Sequence, residues 1–294
     1  MTESPLLNHS VLMTDPRHIG IAGINAYEDV SHGPDYEAAQ IQFESIRAAI
    51  AQTGIKIQQV DSPPNCQDGV YTANWAITYH GKALLSKLPN ARAAEEPYAQ
   101  IELQKRGFDC RRPADYFSGQ GDALLFNEHE AIIGHGYRTM LTPGLKSDLE
   151  WLGITPVFVQ AIPQLDTHGQ PQINRVTGLA DSYYYDIDLA VAVIAPNVLA
   201  VCLDALTPAS QVTIEKLQTR TTNPVTIINV SETEARQGFA CNLLSTGRTV
   251  VMSDAAPRLA SELKKLDYRV ITTNLDQFKL TGGGIRCVSL TLNR

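Results

Sequence analysis

The fold expected from the sequence is α/β, built on a repeating strand–strand–helix–strand unit. Helical runs with apolar residues near a 3.6-residue period alternate with short β-like runs. The unit recurs about four or five times at a spacing of roughly 50 to 60 residues, which points to a propeller or a similar closed array. A two-layer α/β sandwich shares this periodicity and stands as the alternative. No low-complexity linker divides the chain, so residues 1–294 are read as a single domain.

The first helix is expected over 36–53, with Ala38, Ile41, Phe43, Ile46, Ala49 and Ile50 on its apolar face. A strand at 56–60 follows, then the Pro-rich turn Ser62-Pro-Pro-Asn. Residues 73–79 and 82–85 read as a strand pair around the turn His80-Gly81. A helix over 94–105 leads to a strand near Cys110. Downstream come a strand pair at 123–126 and 130–134, a helix over 143–152 and a strand at 157–160. Strands at 188–194 and 198–202, a helix over 209–217 and a strand at 225–230 repeat the cadence. The last unit reads as strands at 240–244 and 249–252, a helix over 256–266 and a strand at 269–273, before a closing strand at 285–291.

Composition sets the class. Hydrophobic residues make up 44% and charged residues 19%, enough apolar surface for a buried core and too little charge for a disordered chain. Lys and Arg number 24 against 31 Asp and Glu, a formal charge of −7, which argues against a generic nucleic-acid or anionic-membrane partner. No apolar run approaches the roughly 18 to 20 residues of a membrane span, and no signal peptide is read at the start. The five cysteines, Cys66, Cys110, Cys202, Cys241 and Cys287, are irregularly spaced and lack zinc or redox spacing. Reduced thiols and a cytoplasmic location are expected, and a homo-oligomer is compatible with the composition.

The most informative stretch is Thr281-Gly-Gly-Gly-Ile-Arg-Cys287. Three glycines let backbone approach a ligand closely, and a cysteine just beyond them is well placed as a nucleophile. Taken alone, the stretch also fits an ordinary turn before a core cysteine. It occurs with Asp68-Gly-Val-Tyr-Thr-Ala-Asn74, Gly119-Gln-Gly-Asp122, Gly134-His-Gly-Tyr-Arg138-Thr139 and Phe239-Ala-Cys-Asn242, in this order. Together these segments resemble the guanidino-group-modifying (pentein) superfamily of dimethylarginine dimethylaminohydrolases, arginine and agmatine deiminases, arginine dihydrolases and amidinotransferases. The resemblance runs from Val11-Leu-Met-Thr-Asp-Pro16 to Leu292.

That resemblance implies a five-bladed α/β propeller of ββαβ units around a polar channel. It also implies a hydrolase of arginine or a substituted arginine, working through a covalent thiouronium and releasing ammonia or an alkylamine. An amidinotransferase, with an amine in place of water, is the alternative within enzymes. Cys287 matches the nucleophile position. Asp122 and Asp68 match carboxylates that anchor a guanidinium or amino group, and Asn74 a substrate-facing amide. Asn25, in Gly23-Ile-Asn-Ala-Tyr27, resembles the Ile-Asn-Pro segment of one branch. Arg92 and Arg138 are candidates for a substrate carboxylate, with a structural ion pair as the other role for each. No cofactor is indicated: Gly282-Gly283-Gly284 leads into a strand rather than opening a dinucleotide-binding helix. No histidines pair at metal-ligand spacing.

Two departures stand out. In Tyr184-Tyr-Asp-Ile-Asp188, Asp188 is kept while Asp186 stands where the family's catalytic histidine is expected. An ordinary aspartate is ionised at neutral pH, but two buried neighbours cannot both ionise cheaply, so one of the pair is a candidate acid. Asp186 and Asp188 are therefore assigned to proton transfer, with His135 as another source of an imidazole. The change reads equally as loss of the hydrolytic step, leaving a pseudoenzyme that binds arginine-like ligands. The second departure is Phe117-Ser-Gly-Gln-Gly-Asp122, where relatives often carry acidic residues at the places of Ser118 and Gln120.

Overall fold

The computed structural model describes residues 7–292, whose strands form five three-stranded sheets. In the first, β1 (Ser10–Thr14) crosses through α1 (Tyr36–Ala51) to a parallel partner, β2 (Lys56–Val60). The second pairs β3 (Ala76–Tyr79) and β4 (Lys82–Leu85) as a hairpin, then crosses through α2 (Glu95–Lys105) to β5 (Asp109–Arg111), parallel to β4. His80 and Gly81 both have positive φ, 46° and 76°, as a two-residue type I′ hairpin turn requires.

The same unit is built three more times. The third sheet holds β6 (Ala123–Leu125), β7 (Glu130–Gly134), α3 (Pro143–Leu152) and β8 (Thr155–Val159). The fourth holds β9 (Val191–Ala195), β10 (Val198–Val201), α4 (Pro208–Thr219) and β11 (Thr226–Asn229). A short helix absent from the sequence expectation, α5 (Glu232–Gly238), leads into the fifth. That sheet holds β12 (Leu244–Ser245), β13 (Thr249–Ser253), α6 (Pro257–Lys265) and β14 (Arg269–Thr273). After a second unforeseen helix, α7 (Asp276–Lys279), β15 (Leu290–Thr291) pairs antiparallel with β1 and supplies the first sheet's missing strand.

One strand of each sheet faces a common axis: Ile77, Leu124, Ala192, Leu244 and Thr291, from β3, β6, β9, β12 and β15, line a single cavity. The repeat is therefore a five-bladed ring rather than a layered sandwich. Local chemistry supports several of the helix starts. Asp35 accepts the Ala38 N–H to cap α1, and Thr142 accepts the Leu145 N–H ahead of Pro143 in α3.

Two expected strands are mostly turns, and a third begins with one. Thr72–Trp75 is a 3-10 turn before β3, residues 240–243 are a turn before the two-residue β12, and residues 285–289 are a turn before β15. In each, apolar residues packed around a tight turn imitate a buried strand. The apolar face of α1 also differs from expectation. Ala39, Phe43, Ile46, Ala49 and Ile50 are buried, whereas Ile41 is 69% exposed and Ala38 half-buried. No helix among the described residues is long and apolar enough to cross a membrane.

The two sides of α1 give a direct contrast. Phe43→Ala, at a fully buried position, is expected to cost about 3–5 kcal/mol. Ile41→Ala should stay within about 0.5 kcal/mol, measured for both by urea unfolding.

Candidate active site

Each inner strand is entered through a tight turn, and those turns carry the polar residues of the centre. Asn74 lies in Thr72–Trp75, Asp122 directly follows Gly119–Gly121, and Asp188 lies in Ile187–Leu189 with Asp186 just before it. Asn242 precedes β12, and Cys287 precedes β15. All six side chains are buried. Five entries in five blades thus bring together residues separated by up to 213 positions.

Cys287 is held from two sides. Its Sγ accepts a hydrogen bond from Asn242 Nδ2 at 3.0 Å, and its thiol donates to Asp188 Oδ2 at 3.5 Å. Asn242 Oδ1 in turn accepts the backbone N–H of Arg286 at 3.0 Å and of Cys287 at 3.3 Å, fixing the turn that presents the thiol. Burial, then the nearby Asp188 and Asp186 carboxyls, push the thiol well above its usual range. Both effects favour the protonated thiol.

Asp186 is the hub of the polar cluster. Its Oδ1 accepts from Ser118 Oγ and its Oδ2 from Asn74 Nδ2, both at 2.7 Å, with Arg138 Nη1 3.7 Å from Oδ2. Gly121 makes this possible: a Cβ there would sit 2.7 Å from Asp186 Oδ2. Asp122 accepts the Ile187 N–H at 2.9 Å and is pushed up to about 7 by burial and the Asp186 charge. Burial and Asp186 also drive Asp188 well above the ordinary carboxylate range. The like-charge effect expected for Asp186 and Asp188 thus falls on Asp188.

The remaining candidates surround this cluster. Arg92 is fully engaged in a bidentate pair with Glu95, at 2.8 Å from both Nε and Nη2, and it donates from Nη1 to Asn74 Oδ1 at 2.9 Å. Its Nε lies 3.6 Å from Asp68 Oδ2. Those contacts suit a positioning role for Arg92, fixing the Asn74 amide. Asp68 is pushed up to about 7 by burial, against the opposing charge of Arg92, and its Oδ1 has no partner among the described residues. Arg138 stacks over the Tyr185 ring at 4.0 Å and donates weakly to Ile24 O at 3.5 Å, so it retains donors for a ligand. Asn25 donates to Glu28 at 2.7 Å and to Thr281 O at 3.2 Å, tying the segment around residue 25 to the glycine stretch. His135 packs its half-buried ring against Phe158, where burial lowers its pKa.

Asn242, Ser118 and Glu95 hold central positions that were not singled out as site residues. Asn242 stood in a recognised segment, and its signal was present. Glu95 reads in sequence as an ordinary acidic first turn of α2, and only its pairing with Arg92 reveals its place. No group of three or more His, Cys, Asp or Glu among the described residues is arranged to hold a metal ion.

The family model for N,N dimethylarginine dimethylhydrolase, eukaryotic, matches residues 24–294. The chain is 24% identical over 290 residues to the dimethylarginine dimethylaminohydrolase of Mycobacterium tuberculosis, covering 96% of this chain and 85% of that protein. It is 26% identical over 287 residues to the bifunctional arginine dihydrolase/ornithine cyclodeaminase AgrE of Nostoc, covering 95% of this chain but 37% of that longer protein. Among solved structures, the product-bound N-terminal domain of ArgZ, a cyanobacterial arginine dihydrolase, aligns with TM-score 0.83 at 24% identity over 97% of both chains. The Pseudomonas aeruginosa dimethylarginine dimethylaminohydrolase complexed with citrulline aligns with TM-score 0.73 at 18% identity, over 96% of this chain and 98% of that one. These structural likenesses establish the five-bladed pentein propeller, and with the family match over nearly its whole length the chain belongs to the dimethylarginine dimethylhydrolase family of guanidino-modifying proteins.

Proposed function

We propose that this chain hydrolyses the guanidinium group of arginine or a substituted arginine, with Cys287 as nucleophile and a covalent thiouronium as intermediate. The observation that carries the reading is a buried thiol bonded to Asp188 and Asn242, beside carboxyls at Asp122, Asp186 and Asp68. Such a cluster is costly without a cation, and a guanidinium supplies one with the planar donor geometry that carboxylates match.

In this mechanism the guanidinium binds near Asp122, Asp68 and Asn74, with Arg138 facing the substrate carboxylate. Its charge favours ionisation of the thiol, whose proton passes to Asp188 Oδ2 while Asp188, neutral at the outset, gives up its own proton to water. Sγ bonds to the guanidinium carbon, and the C–N bond breaks as the amine leaves with a proton taken up from water through Asp186. Water then attacks the same carbon, giving a proton back to Asp186. The S–C bond breaks, and a ureido product departs as the thiol is re-formed. Asp186 takes the histidine's place beside Asp188, which burial and the Asp186 charge favour in its neutral form.

A second reading, ligand binding without turnover, is favoured by one observation. Both Asp186 oxygens already accept hydrogen bonds, from Ser118 and Asn74, which restricts the proton it has to exchange. Amine release separates the two readings.

Cys287→Ser is expected to cut release of ammonia, methylamine or dimethylamine from arginine and its methylated forms by at least about a thousandfold while leaving the fold intact. Full release by that variant would overturn the reading. Asp186→Asn should lower turnover by about 10²–10⁴-fold with ligand binding retained, measured by amine release and calorimetry. In the Cys287→Ser background, arginine should bind more tightly as the pH rises from 6 to 8. Asp68 and Asp122, both pushed up to about 7, ionise over that window, and only the ionised form attracts a guanidinium. An affinity that is flat with pH would remove both from the binding site.

A further inference from the structure

The cavity on the axis is lined by the inner strands just beyond the turns that carry the active-site residues. Its volume is about 40 Å³, room for about three water molecules. Asp188 and Arg286 form part of its wall, and both adjoin the nucleophile: Arg286 precedes Cys287 in the chain, and Asp188 Oδ2 lies 3.5 Å from Sγ. The other carboxyl oxygen, Asp188 Oδ1, is buried and has no hydrogen-bond partner among the described residues. Arg286 is partly exposed and donates to Ser289 O, Thr291 Oγ1 and Gln120 Oε1 at 2.9, 3.2 and 2.8 Å. A guanidinium has five N–H groups, so two of its donors remain for water. The cavity thus has in its wall an aspartate with an unpartnered carboxyl oxygen and an arginine with spare donors, a setting for ordered water.

We propose that this cavity is a solvent port through which Asp188 exchanges the proton of Cys287 with water. The proposal rests on the hydrolase reading and extends it. The S–H bond breaks and an O–H bond forms at Asp188 Oδ2 as the neutral carboxyl gives its own proton to a cavity water; rotation about its soft terminal torsion then restores the starting arrangement. No redox partner is needed. The groups facing Asp188 are Asp186, Asp122, Arg286 and Cys287, and of these the Arg286 charge and, less strongly, the Cys287 hydrogen bond favour its ionised form. The Arg286 charge therefore helps Asp188 release the proton toward the cavity.

Ala192→Leu and Ala123→Leu each place three extra carbons in the cavity from different inner strands, at positions outside the catalytic cluster. The probe is a haloacetamidine, a small amidinium cation whose halide the Cys287 thiolate displaces. Both filled variants should be alkylated at least about tenfold more slowly than the parent chain, with a solvent deuterium isotope effect larger than the parent's. If one variant fails to fold, the other reads the same port. Parent-like alkylation rates in a filled variant overturn the port, as does slowing with no change in isotope effect, which marks general structural damage. Alkylation slowed as expected in a protein whose parent chain releases no amine sustains the port and refutes the hydrolase reading. Failure of the parent chain to be alkylated at all overturns both.

Discussion

Closing five blades on one axis forces five chain segments to turn next to one another, and this protein places buried charge at that meeting point. Asp122, Asp186 and Asp188 lie in or beside the turns entering β6 and β9, within electrostatic reach of one another and of Cys287. Carboxyls so placed cannot all ionise in a buried site. The consequences are visible throughout the centre. Asp122 and Asp188 are driven toward their neutral forms, the thiol stays protonated, and Asn74, Ser118 and Asn242 supply directional donors. Glu95 holds Arg92 by a bidentate contact, and the Arg92 charge only partly opposes the effect of burial on Asp68.

The ring was legible because its outer parts obey simple periodic rules. α3 and α6 lie within a residue or so of expectation, and the His80-Gly81 turn has the geometry that its residue types suggest. Legibility failed at the entries to the inner strands. Residues 73–75, 240–243 and 285–289 look like strand because their side chains are buried, yet the backbone turns there to present Asn74, Asn242 and Cys287. Burial in those segments reflects the crowded axis rather than a two-residue repeat. Local pattern and final structure therefore part company where the chemistry is placed.

Within the site, the residues brought together by the family resemblance do converge, but their partners redistribute their roles. Arg92 was a candidate for a substrate carboxylate, and its pairing with Glu95 and Asn74 instead suits positioning. Arg138, stacked on Tyr185, keeps more of its donors free. The Arg92–Glu95 pair is local, three residues apart, but other contacts of the centre join different blades: Ser118 meets Asp186 across 68 positions, and Asn242 meets Cys287 across 45.

The substitution of a carboxylate for the family's histidine is the feature on which the account turns. Asp186 accepts from Ser118 and Asn74, while burial and Asp186 push Asp188 well above the ordinary carboxylate range. Rapid-quench mass spectrometry of the unmodified chain mixed with arginine and its methylated forms tests whether that arrangement completes the reaction. The account predicts a transient adduct on the Cys287 peptide that forms and decays with amine release. An adduct that accumulates without decay, or none at all despite measurable ligand binding, would contradict it.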